Sequence, residues 1–323
     1  MTGLREPPKK EQPTRVFARF LVLAILLLVA GVVIWTSVTN QQIELVEDVS
    51  IEQLELEDVV EVDGLQINLS EGSGGVIPVV LLHDRDVVGG AMMNDVAGEV
   101  SGRFRTVQID LPGYGFSSRV TEPSTPHTVA AMAEAVMTII EERFTVKPVL
   151  VGVGLGGKVA AEIAVVHPDM ILGLVMVDVD FWKDRGWRLF VQKLPFVGEA
   201  ATYTLEAGGR FGYDLWAPNC ADGGWCPSSA LQATRTETTK IRGTTASLNS
   251  FIETPVSSQI PSDLDTLTVP AAYVWSSNGV VSRRNVDRVV EAVPDLILTE
   301  VSAWKVHLEN PEAVAAAIDS VGR

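Results

Sequence analysis

Apolar positions along this chain fall into blocks of two lengths. The long block comes first: Phe20 to Trp35 is uninterrupted apolar or small, and Thr36, Ser37 and Val38 extend the uncharged stretch to 19 residues. That is enough to cross about 30 Å of hydrocarbon as a helix. The short blocks are Val76 to Leu82, Thr106 to Ile109, Val149 to Val153, Ile171 to Val177, Ala271 to Trp275 and Leu296 to Val301. Runs of this length that are apolar on both faces predict parallel strands covered by helices on either side. Between the second and third, Val129, Met132, Ala133, Val136, Ile139 and Ile140 recur at helical spacing, as a crossover helix requires. The alternation predicts an α/β fold with a mostly parallel, doubly wound sheet. It breaks from Phe181 to Leu267, where Trp182, Trp187, Trp216, Trp225 and both cysteines lie, so a helical cap is expected there. The expected organisation is a basic tail over 1–19, a transmembrane helix over 20–38 and an acidic stalk or short helix over 39–58. Core segments follow over 59–180 and 268–323, with the cap over 181–267 between them.

Charge sets the orientation. Arg5, Lys9, Lys10, Arg15 and Arg19 precede the long block, and no Lys or Arg follows it until Arg85. The positive-inside rule then predicts a single-pass protein of the cell membrane, with a cytoplasmic N-terminus and an extracytoplasmic domain. A cleaved signal peptide is the alternative, but the apolar block is long for one and no clear A-x-A site follows. Cys220 and Cys226 are the only cysteines, and an isolated close pair in an exported domain is expected to oxidise. No His or third Cys accompanies them, so neither a metal nor any other cofactor is expected. A net charge of -16 disfavours nucleic acid as a partner.

Three segments in order, Val79 to Asp84 (VVLLHD), Ile109 to Ser118 (IDLPGYGFSS) and Leu150 to Ala160 (LVGVGLGGKVA), resemble the α/β-hydrolase superfamily. Val269 to Val281 and His307 to Val314 complete the resemblance, which is nearest to the capped esterase, epoxide hydrolase and haloalkane dehalogenase branch. It implies a nucleophile in G-x-Nu-x-G at a strand-to-helix turn, an acid after a late strand and a histidine base near the C-terminus. At those three positions this chain carries Gly154, Gly279 and Trp304. A one-residue slip would place Asn278 at the acid position, and His307 matches the second, structural histidine of the terminal pattern.

The resemblance further implies an oxyanion hole after the first core strand, where this chain reads His83-Asp84-Arg85-Asp86. If Asp84 points inward, its charge opposes an oxyanion on the backbone N–H of Leu155; Arg85 could instead neutralise it in a solvated cluster. No catalytic residue is therefore expected, and His83, Asp84, Arg85, Leu155, Asp180, Asn278 and Trp304 are the candidate pocket residues. Three functions compete. The first is a non-catalytic member that binds a lipid-like or acyl ligand, or an envelope protein, beside the membrane that its helix spans. The second is a hydrolase with a relocated site drawing on His83, Asp84, Asp86, Asp178, Asp180, Ser276 or Ser277. The third is a scaffold subunit of a membrane assembly, which needs no pocket.

Overall fold

The computed structural model describes residues 13–121, 128–182, 187–218, 220–253 and 260–322. Eight strands form one sheet: β1 (Val59–Val62), β2 (Leu65–Gly72), β3 (Pro78–Leu82), β4 (Arg105–Ile109), β5 (Val149–Val153), β6 (Gly173–Val177), β7 (Ala271–Ser276) and β8 (Ile297–Val301). Their order is β1-β2-β4-β3-β5-β6-β7-β8. From β4 to β8 every pairing is parallel, whereas β1 and β2 join antiparallel. The six apolar runs are β3 to β8; β3, β5, β6 and β7 are buried at every position. The hairpin β1–β2 is an addition that the apolar runs did not predict. Its signal is in the sequence: Asp63-Gly64, both at positive φ (50° and 79°), closes a two-residue turn between alternating buried Val60, Val62, Ile67 and Leu69.

Two apolar layers cover the sheet. On one face, α2 (Asn94–Val100) and the terminal helices α12 (Val306–Glu309) and α13 (Pro311–Val321) bury Val96, Val100, Val306, Val314 and Ile318. On the other, α3 (Val129–Arg143), α4 (Leu155–Val166) and α11 (Arg283–Ala292) bury Met132, Val136, Val159, Ile163 and Val286. Between β6 and β7 stand α5 (Trp187–Gln192), α6 (Gly198–Thr202), a π turn (Tyr203–Ala207), α7 (Gly209–Trp216), α8 (Ser229–Lys240), α9 (Thr244–Glu253) and α10 (Ile260–Asp263). Cys220 and Cys226 are disulfide-bonded, their Cα atoms 4.7 Å apart. The bridge sits beside an aromatic cluster in which Trp216 meets Trp225 edge-on at 5.7 Å and Arg235 covers Trp216 at 4.8 Å.

The N-terminal helix α1 runs unbroken from Pro13 to Val46, and from Phe17 it is long and apolar enough to span a membrane. It passes through the boundary at residue 38 without interruption. Beyond that point the segment packs against the domain instead of standing free as a stalk. Thr39 and Glu47 are buried, and Thr36, Ile43 and Val46 are partly covered, a stripe at helical spacing. The Glu47 carboxylate accepts hydrogen bonds from the backbone N–H groups of Gly243 (2.9 Å) and Thr245 (2.8 Å) and from the Thr245 hydroxyl. It thereby caps the N-terminus of α9, where unpaired N–H groups and the helix dipole favour an anion.

Candidate functional site

The parallel strands β3, β5, β6, β7 and β8 end at one edge of the sheet, the edge where an α/β fold places its ligand site. At its centre the chain turns from β5 into α4 through Gly154, with φ 51° and ψ -110°. A left-handed backbone of this kind is strained for any residue with a Cβ. The turn also packs hard against β3: a Cβ on Gly156 would stand 2.4 Å from the Leu82 carbonyl oxygen.

Asp84 fills the space above Gly154. A Cβ built on Gly154 would lie 2.0 Å from Asp84 Oδ1, so the carboxylate occupies the volume that a side chain at this turn would need. The same Oδ1 accepts the backbone N–H of Leu155 at 2.9 Å. This N–H opens α4, and a carboxylate there is favoured by the helix dipole. Of the two orientations open to Asp84, the inward one is therefore adopted, although its side chain stays open to solvent.

His83 fixes that placement. It is fully buried; its Nε2 accepts the Leu111 N–H at 3.0 Å, which leaves Nδ1–H to donate to the Asp84 carbonyl at 2.6 Å. Its own carbonyl accepts the Gly156 N–H at 3.0 Å. Both ring nitrogens are thus committed to backbone. Arg85 is half-buried beside Asp84. Burial opposes its charge, but the surrounding Tyr114, Glu206 and Asp84 more than compensate and raise its pKa.

Two further titratable groups stand behind Asp84. Asp178 follows β6 at φ 47°, and its Oδ1 accepts the Ser276 N–H at 2.7 Å. Burial pushes its pKa up to about 6 against the lowering effect of hydrogen bonds from Ser276 and Val306, with the Asp84 charge adding to the rise. His307, in α12, is buried with no hydrogen-bond partner on Nδ1. Burial and Lys305 hold its pKa down to about 3, against a smaller opposing effect of Asp84. It is neutral at physiological pH and a weak base.

The other candidate positions are occupied by structural contacts. Trp304 lies between β8 and α12; its backbone N–H donates to Glu309 Oε2 at 2.6 Å and its ring sits 4.8 Å from Lys305 Nζ. Gly279 turns the chain after β7, where a Cβ would crowd the Ser276 Cβ at 2.9 Å. Asn278 is exposed and donates to the Ser302 hydroxyl at 2.9 Å. Asp180 accepts the Trp182 N–H (3.1 Å) and Asn285 Nδ2 (2.9 Å), tying the start of the cap to α11. Asp86 accepts Trp216 Nε1 at 2.9 Å and so joins core to cap, a role that nothing in the local sequence signals. The Ser276 hydroxyl is buried and donates to the Ala303 carbonyl.

Where core meets cap, Arg85, Asp86, Glu206, Trp216, Arg235 and Lys305 line a cavity of about 130 Å³. Sites that enclose drug-sized ligands run from about 300 Å³ upward and are mostly apolar. This one is small and charged. The arrangement supplies an anion at a helix N-terminus with cations nearby and, among the described residues, no hydroxyl or thiol aligned with a base.

A model of the alpha/beta hydrolase family matches residues 79–317. A pimeloyl-[acyl-carrier protein] methyl ester esterase of Edwardsiella ictaluri is 33% identical over 99 residues, 31% of this chain and 35% of that protein. The protein of the same name from Chromobacterium violaceum is 34% identical over 111 residues, 34% of this chain and 40% of its own. The chain thus spans well under half the length of these relatives. Among solved structures, an enol-lactonase from Burkholderia xenovorans LB400 superposes with a TM-score of 0.64 at 16% identity, covering 82% of this chain and 100% of that one. A thioesterase domain from the curacin biosynthetic pathway superposes with a TM-score of 0.61 at 18% identity, covering 81% and 98%. At such identity the superpositions speak for the fold alone.

Proposed function

Because this chain belongs to the alpha/beta hydrolase family, we propose that it keeps the family's scaffold without serine-hydrolase catalysis and acts as a membrane-anchored binding protein. The observation that carries this is the Asp84 carboxylate. It stands in the volume of the missing side chain at Gly154 and holds the Leu155 N–H. That donor would otherwise stabilise an oxyanion, and a fixed negative charge in its place repels one. With Trp304 where the family carries its base, a serine nucleophile would also have no proton acceptor. Where core meets cap the cavity is small and charged, which supports an envelope protein met at the cap surface over a lipid or acyl chain enclosed at that point. The helix α1 would hold the domain outside the cytoplasm with its basic flank inside.

Purified full-length protein in detergent is expected to show no turnover of short or long acyl esters above background and no labelling by a fluorophosphonate probe. Stoichiometric labelling at any serine would overturn the proposal. A relocated hydrolase site is the second reading, favoured by the solvent-open Asp84 carboxylate at the turn. It predicts a stable ester on Asp84 after incubation with alkyl epoxides or haloalkanes, visible as an added mass on the intact protein.

A further inference from the structure

We infer that the cap turn around Phe190–Phe196 is seated in the lipid headgroup layer, so that the cap lies down on the bilayer instead of being held above it. The inference rests on the reading that α1 spans the membrane. Helix α1 carries no break between its apolar part and Val46, so positions along it report height at about 1.5 Å per residue. Asn40 is two residues, roughly 3 Å, beyond Val38, where the expected span ends. At that height Asn40 lines a cavity together with Leu194, Pro195, Phe196, Gly198 and Glu199. The headgroup layer on each side of the hydrocarbon is about 5 to 8 Å deep. Phe196 is therefore held within it.

Contact between cap and helix reaches lower still. The stripe of α1 that faces the domain begins at Thr36, inside the uncharged stretch, and α6 and the π turn pack on this helix. A domain that touches Thr36 cannot stand clear of the membrane.

The chemistry of the turn suits that position. Phe190, Leu194 and Phe196 are 68%, 36% and 96% exposed among the described residues. Phe196 is one of three non-glycine residues at positive φ among the described residues, at 66°. A bulky side chain held outward by a strained backbone is expected where its position serves a surface. Exposed Lys193 beside it matches a phosphate-bearing layer, with Glu199 the nearby acid. Aromatic rings with a flanking cation are what the membrane–water interface collects.

The test uses the full chain in vesicles of phosphatidylcholine with a minority of phosphatidylglycerol. Its native cysteines are closed in a disulfide, so an introduced cysteine takes a nitroxide label alone. Phe196→Cys and Phe190→Cys are the probes. Val76→Cys, 82% exposed just before β3, is the aqueous control, and Leu27→Cys, within the apolar block, is the lipid control. Labels at 196 and 190 are expected to lose relaxation by a water-soluble nickel chelate and to gain relaxation by oxygen, relative to 76. Chelate access at 196 and 190 equal to that at 76, with 27 shielded, would overturn the inference and leave the span standing. Chelate access at 27 as well would overturn the span, and this inference with it.

Discussion

At Asp84 a single carboxylate fills the volume a side chain at Gly154 would need and occupies the Leu155 N–H, the donor at the start of α4. Gly154→Ser would place a Cβ at φ 51° and drive it to within 2.0 Å of Asp84 Oδ1, so Asp84 must leave the Leu155 N–H. The backbone strain alone costs about 1 to 3 kcal/mol. The variant is expected to unfold at lower denaturant by that amount, to show no ester turnover, and to recover part of the loss when Asp84→Ala is added. Equilibrium unfolding and an ester assay on both variants check this; turnover by the single variant would reveal a base already in place. His307 contributes a pH dependence to stability in the acid range. Its folded pKa of about 3 lies below the ordinary value of 6.5, so the unfolded chain binds more protons between those limits and stability falls as pH falls through that window. Asp178 opposes this: with its pKa raised from 3.8 to about 6, the folded state binds more protons between those values and gains stability as pH falls. Asp178 is common to both proteins, so the difference is set by His307 and His307→Gln should gain on the wild type in melting temperature as pH drops from 7 toward 4. At this scale flanking Gly152 and Gly156 fix position 154 in the sequence, while 279 and 304 follow from the resemblance to the family's late-strand and terminal patterns. The direction of Asp84 was not legible, because it depends on the hydrogen bonds of His83 to Leu111 and to the Asp84 carbonyl, 28 residues and one residue away.

Among elements, those buried on both faces announced themselves. Strands β3 to β7 read as apolar runs because helices cover both sides of them, β8 reads as one although it lies at the sheet edge with no fully buried position, and α3 read as a 3.6-residue stripe because only one side of it is covered. The β1–β2 hairpin escaped that filter: its strands alternate, and its Asp63-Gly64 turn is the signal that a search for apolar runs passes over. The docking of α1 escaped as well, since an acidic segment of residues 39–58 carries the composition of a solvated stalk. Glu47 carries the contact through the bonds that Thr245 and Gly243 donate to it, which offset part of the burial that raises its pKa. Removing a charged acceptor from such bonds costs about 1.5 to 3 kcal/mol. Glu47→Ala is therefore expected to lower amide-exchange protection across α9, residues Thr244–Glu253, by a comparable free energy, with β5 and β6 unchanged. Equal loss of protection in the central strands would show that the contact stabilises the whole fold instead of the cap.

For the molecule as a whole, the fold was legible because its central strands and crossovers leave periodic traces within short windows, while the joining of its parts was not. Contacts of Glu47 with residues 243 and 245, or of Asp86 with Trp216, span 130 or more positions and leave no local pattern. Orientation in the membrane is a whole-molecule property: protease added outside intact spheroplasts is expected to remove the domain and to spare an N-terminal tag. Protection of the domain with loss of the tag would reverse the topology. The capping of α9 by Glu47 has one more consequence if α1 anchors the protein in a membrane. A flexible linker would let a domain swivel and average over its attitudes. Here helix and cap are one lever, so a bilayer thinner than the apolar block, which makes a spanning helix lean to hide its excess length, would swing the cap through the same angle. The thickness of the surrounding lipid would thereby set which way the domain faces.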